Sequence, residues 1–137
     1  MPKKIRLLII EDNPTQMVQL VSMAGRFTSD ITAALNAERG LLVFKGSLMM
    51  DQPYDVLLTD IMLPGMSGKD LIREVRSIEE EIKYPRRIKI IAVTADSPKQ
   101  HVMDACRLGA DSFLAKPVTP DSLREALESA GFAFPGA

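Results

Sequence analysis

The sequence predicts an α/β fold built on an open parallel sheet. Five short apolar runs alternate with five longer stretches of helical periodicity, the pattern of strand and crossover helix. The first run, residues 5–10, is apolar apart from Arg6, as in a strand covered on both faces. Three helix starts are spelled as a capping residue followed by proline: Asn13-Pro14, Ser97-Pro98 and Thr119-Pro120. Alternation of this kind implies right-handed crossovers, with helices on both sides of the sheet.

The elements follow in order. Strand 1 is expected over residues 5–10 and helix 1 over 14–26. Gln16, three residues after the cap Asn13, suggests a capping box. A weaker strand 2 spans 31–35, and helix 2 covers 37–50. Strand 3 is 55–59. Helix 3 covers 68–78, with Ser67 as its cap. Glu79, Glu80 and Glu81 are followed by Lys83, Arg86, Arg87 and Lys89 around Pro85, which reads as a solvated loop. Strand 4 is 88–94, and helix 4 covers 98–108, with Gln100 three residues after Ser97. Strand 5 is 112–115 and helix 5 is 120–130. Gly109 and Gly131 stand where helices 4 and 5 should stop.

Composition narrows the function. The 137 residues fit one domain, and 46% hydrophobic content is enough for a full core. A net charge of −1 gives no strong field toward nucleic acid or an anionic membrane. Direct nucleic-acid binding is not expected. The single cysteine, Cys106, excludes an internal disulfide and suits a reducing compartment. Its place in helix 4 predicts a core or half-buried thiol. No stretch approaches the roughly 20 apolar residues of a membrane span, and the opening residues do not form a signal-peptide core. These features predict a soluble, cytoplasmic protein without membrane insertion.

Polar residues stand at the ends of four apolar runs: Glu11-Asp12, Asp60, Thr94 and Lys116. In an open parallel sheet the strand C-termini share one edge, where ligand chemistry gathers. Taken singly, each residue has a plain reading as turn, cap, strand or surface residue. Together they predict an acidic pocket with a hydroxyl and an ammonium beside it. Converging carboxylates repel, and a bound cation relieves the cost. All-oxygen donors with room for water favour Mg²⁺. A carboxylate so oriented and neutralised is able to attack phosphorus. Pro64, Gly65 and Gly68 shape the loop after Asp60, and Lys116-Pro117 is a candidate cis bond. His101 reads as a surface residue, and the glycines at 65 and 68 do not form a dinucleotide fingerprint.

At Glu11-Asp12, Asp60 with its surroundings, Thr94-Ala95 and Lys116-Pro117, the chain resembles the receiver domain of bacterial two-component response regulators. The likeness spans about residues 4–130, leaving 131–137 as a tail or linker start. The resemblance implies a flavodoxin-like three-layer sandwich with a parallel sheet of order 2-1-3-4-5. It implies that Asp60 is the phosphoacceptor of a phosphorelay, becoming an aspartyl phosphate. Mg²⁺, or Mn²⁺ in its place, would be held by Asp12, Asp60 and the Met62 backbone carbonyl, with Glu11 acting through water. Thr94 and Lys116 would bind phosphoryl oxygens. Thr94 and Phe113 would form the switch, and Met62 and Asp96 would tune phosphoryl lifetime.

Implied partners are a sensor histidine kinase or histidine phosphotransfer protein, and a downstream target or fused output domain. Homodimerisation through the helix 4–strand 5–helix 5 face is a further expectation. Such a protein is modified and is not a turnover enzyme. Two alternatives stand beside this reading: an interaction module independent of phosphorylation, and a Mg²⁺-dependent Asp-based phosphatase. The phosphatase usually needs an acid where Met62 stands. A flavin-binding protein is disfavoured, because Glu11-Asp12-Asn13-Pro14 would repel a phosphate.

Overall fold

A computed structural model describes residues 5–95 and 99–132. The elements are β1 (Arg6–Ile10), α1 (Pro14–Ala24), β2 (Asp30–Ala34), α2 (Ala37–Met49), β3 (Val56–Asp60), α3 (Gly68–Ile82), β4 (Lys89–Thr94), α4 (Lys99–Leu108), β5 (Ser112–Ala115) and α5 (Pro120–Ser129). All strand pairs are parallel, in the order β2-β1-β3-β4-β5. This is the expected three-layer fold.

Period-two alternation along the central strands divides the core. Leu8, Ile10, Leu57, Ile90 and Ala92 face α2, α3 and α4, where Phe44, Leu71, Val75 and Ala105 are buried with them. Leu7, Ile9, Leu58, Ile91 and Val93 face the other way, against Met17 and Leu20 of α1 and Leu123 and Leu127 of α5. Successive side chains on a strand point to opposite faces, so these uninterrupted apolar runs fill both layers.

The caps set the strand-to-helix junctions. Asn13, Asn36, Ser67 and Thr119 each accept a hydrogen bond from the backbone N–H three residues on. Ser67–Asp70 and Thr119–Ser122 close full capping boxes. The expected Ser97 cap lies outside the described residues. Gly109 and Gly131 have φ of 121° and 104° just past α4 and α5, as helix-stop glycines should.

Several boundaries differ from expectation. Helix α1 stops at Ala24, with the N–H groups of Phe27 and Thr28 turning back to its carbonyl. Strand β2 begins one residue earlier, at Asp30. Asp60 is the last residue of β3, in register with Val93, not a residue beyond the strand.

The largest correction concerns the acidic run. It is helical and not a loop, because α3 continues through it to Ile82 and ends at Lys83 with φ of 53°, whereas Glu80, Glu81, Lys83, Arg86 and Arg87 are solvent-exposed as expected. Glu79 is only 5% exposed. It pairs with Arg76 and accepts the backbone N–H of Ile88 at 2.7 Å. Arg76 also reaches the Gly109 carbonyl and Asp111, and Asp111 accepts the N–H of Ile90. Glu79 and Arg76 thus form a largely buried clasp tying α3 to the start of β4 and to the turn between α4 and β5. Removing one partner of such a pair strands the other. We expect Glu79→Ala to lose about 3 kcal/mol, read as a lower urea midpoint at unchanged slope.

Cys106 also departs from expectation. It is exposed on α4, because Ala105 takes the core position of that turn.

Candidate functional site

The predicted residues meet at the carboxyl edge of the sheet. Glu11 follows β1, Asp60 ends β3, Thr94 ends β4 and Lys116 follows β5. Parallel pairing aligns these ends. The Ile61 N–H donates to the Val93 carbonyl at 3.0 Å, and the Lys116 N–H donates to the Thr94 carbonyl at 2.8 Å. Local backbone bonding therefore brings together residues far apart in sequence.

Lys116 Nζ is the hub. It donates to Asp60 Oδ2 at 2.6 Å, to Glu11 Oε1 at 2.8 Å and to Gln16 Oε1 at 2.7 Å. Asp60 Oδ1 accepts the Met62 N–H at 2.9 Å, and Glu11 Oε2 accepts the Asn13 N–H at 3.0 Å. Glu11, Asp60 and Thr94 are buried, whereas Asp12 is exposed. Carboxylate oxygens of Glu11, Asp12 and Asp60 all lie within 4.8 Å of one another.

The electrostatics follow from this crowding. Two carboxylates at about 5 Å repel by roughly 3 kcal/mol at an effective dielectric near 20. Burial pushes the Glu11 carboxyl above the usual range, countered in part by hydrogen bonds from Lys116 and the Asn13 backbone. Burial alone would lower the Lys116 ammonium. Hydrogen bonds and charge from Asp60 and Glu11 outweigh it and hold lysine above its ordinary value. When all four groups are ionised, the cluster carries an excess of negative charge that a single lysine does not cancel.

The loop after Asp60 is held at two points. Gly68 packs so closely that a Cβ there would lie 2.0 Å from the Asp60 carbonyl oxygen, so only glycine fits. Glu38, at the start of α2, accepts the Met66 N–H at 2.9 Å beside Gly65, whose φ is 73°. Lys116-Pro117 is cis.

The remaining candidates are more dispersed. Phe113 lies on β5 with 48% of its surface exposed. Met62 is 63% exposed and touches the site through its backbone N–H. Asp96 falls outside the described residues. Two contributors were not among the sequence candidates. Gln16 was expected only as a capping partner, and Glu38 carried no signal beyond its place in the first turn of α2.

A doubly wound parallel sheet of this order, with an acidic cluster and a lysine beyond its strand ends, defines a flavodoxin-like receiver fold. The chain belongs to the response regulator receiver domain family, whose model matches residues 7–128. It is a CheY-like receiver of the two-component and phosphorelay class. A chemotaxis protein CheY homolog of Campylobacter jejuni is 32% identical over 124 residues, covering 90% of each chain. Among solved structures, a response regulator receiver domain protein from Clostridium thermocellum is similar, with a TM-score of 0.78, 25% identity, and coverage of 92% of this chain and 93% of that one. The receiver domain of yeast Ssk1, crystallised with the histidine phosphotransfer protein Ypd1, shares the fold. Its TM-score is 0.81 at 23% identity, over 93% of this chain and 89% of that one. No helix among the described residues is long and apolar enough to cross a membrane.

Proposed function

We propose that the chain is a phosphorylation-driven switch whose acceptor is Asp60. The observation that carries this reading is the convergence of Glu11, Asp12 and Asp60 on one edge, with Lys116 bridging two of them. The donor is a phosphohistidine on a sensor kinase or histidine phosphotransfer protein. An Asp60 carboxylate oxygen forms a bond to phosphorus as the bond from phosphorus to the imidazole nitrogen breaks. The imidazole leaves and takes a proton. Positioning and charge neutralisation do most of the catalytic work in such a transfer.

The all-oxygen donor set, with Asp12 open to solvent, fits a hard and partly hydrated ion. Asp12, Asp60 and the Met62 carbonyl would hold Mg²⁺ or Mn²⁺, with Glu11 acting through water. When bound, the ion supplies positive charge to the transferring oxygens. Lys116 supplies a second positive charge, and the Thr94 hydroxyl donates a hydrogen bond to the same group.

Movement of Thr94 toward the phosphoryl group would open room for Phe113, now exposed on β5, to turn inward. That would shift the α4–β5–α5 face between two states and change docking to a target, an output domain or a second copy. Met62 carries no side-chain group that orients water, which favours slow to moderate loss of the phosphoryl group. Each molecule is modified and not turned over. Incubation with Mg²⁺ and acetyl phosphate should add one phosphoryl group by intact mass, mapping to the peptide that contains Asp60. A chelator should prevent it. An unlabelled, folded and Mg²⁺-loaded protein would overturn this reading.

A further inference from the structure

The third acceptor on Lys116 is unexplained by the acidic cluster. Gln16 sits one turn into α1, its backbone N–H fixed by the Asn13 side chain at 3.0 Å. A capping box would turn its side chain back to the Asn13 N–H. That N–H is already taken by Glu11 Oε2, and the Gln16 carboxamide instead reaches Lys116 Nζ at 2.7 Å. An ammonium has three protons and only donates, so the atom facing it must be the amide oxygen. All three protons are thus placed, on Asp60, Glu11 and Gln16.

The Lys116 side chain lines a cavity of about 390 Å³ together with Glu11, Gln16, Leu20 and Met23. An ammonium on a four-carbon stem has many rotamers to lose. Two carboxylates fix its distance from the cluster, and both also face the bound ion expected there. Gln16 is the one neutral acceptor among the three.

We propose that Gln16 is a positioning residue for Lys116. Its carboxamide oxygen holds the ammonium at the seam between Glu11 and Asp60, so that the cation meets the phosphoryl group without a rotamer search. This rests on the phosphoacceptor reading. It acts only through the lysine and touches neither the acceptor nor the donor.

The test uses Gln16→Met, which keeps length and helix propensity but removes the acceptor, and Gln16→Glu, which restores it. The first readout needs no phosphorylation: side-chain relaxation of ¹³Cε-labelled Lys116. Its order parameter should fall in Gln16→Met and recover in Gln16→Glu. The second is the labelling rate with acetyl phosphate and Mg²⁺. Gln16→Met should lower the maximal rate roughly five- to tenfold with little change in half-saturating donor. In a Lys116→Met background it should add nothing. An unchanged Lys116 order parameter overturns the proposal, as does an equal rate loss in both backgrounds. A parent protein that takes no label would instead sink the phosphoacceptor reading, while the relaxation data still decide whether Gln16 holds the lysine.

Discussion

Asp60→Ala should take no phosphoryl label under conditions that label the parent fully, and it should remain folded. The first half follows from chemistry: Glu11 is almost fully buried, and burial pushes its carboxyl up and so weakens it as a nucleophile, while Asp12 is exposed and receives none of the three Lys116 protons. Asp60 is held by Lys116 on one oxygen and the Met62 N–H on the other. The second half follows from charge. Removing Asp60 takes a partner from Lys116 but also removes a negative charge within 4.8 Å of two others, and the two effects oppose each other. Lys116 retains Glu11 and Gln16. Intact mass after acetyl phosphate treatment reads the label, and a urea titration reads the fold. A label persisting on the variant would move the acceptor to another side chain.

Much of this edge was legible because its grammar is local. Caps at Asn13, Ser67 and Thr119 locate helix starts, and apolar runs locate the strands before them. Parallel topology then does the rest, since it sends every strand end to one side. What the sequence concealed depends on side-chain direction and burial. Glu79 is one of three consecutive glutamates, and only its facing toward Arg76 and the Ile88 N–H separates it from Glu80 and Glu81, which are exposed. Cys106 next to Ala105 is the same problem in reverse, because one step around a helix changes core into surface. Gln16 was visible as a capping signature, but the competing acceptor Glu11 Oε2 diverted it. The partner it takes instead, the Lys116 ammonium, lies 100 residues away in sequence, so the pairing has no local signature. Glu38 is similar: its loop partner Met66 lies 28 residues away.

Lys116→Met should slow labelling of Asp60 by at least about a hundredfold at saturating acetyl phosphate and Mg²⁺. The phosphoryl group brings further negative charge into a site already crowded with carboxylates. The ammonium is the one cationic side chain within hydrogen-bond reach of Asp60 among the described residues. A preorganised charge in a partly buried site is worth far more than the same charge in water, and Lys116 is only 19% exposed. Methionine keeps the apolar stem, so the loss reports the charge and not the volume. Lys116→Arg should recover only part of the rate, because a planar guanidinium does not reproduce three acceptors placed around a compact ammonium. The ground state changes too. Glu11, already pushed up by burial, loses the hydrogen bond and charge that hold it down, so the variant should rely more heavily on added Mg²⁺ for labelling. A Lys116→Met protein that labels at the parental rate would mean that the lysine is a structural tie between strand ends and not part of the transfer chemistry.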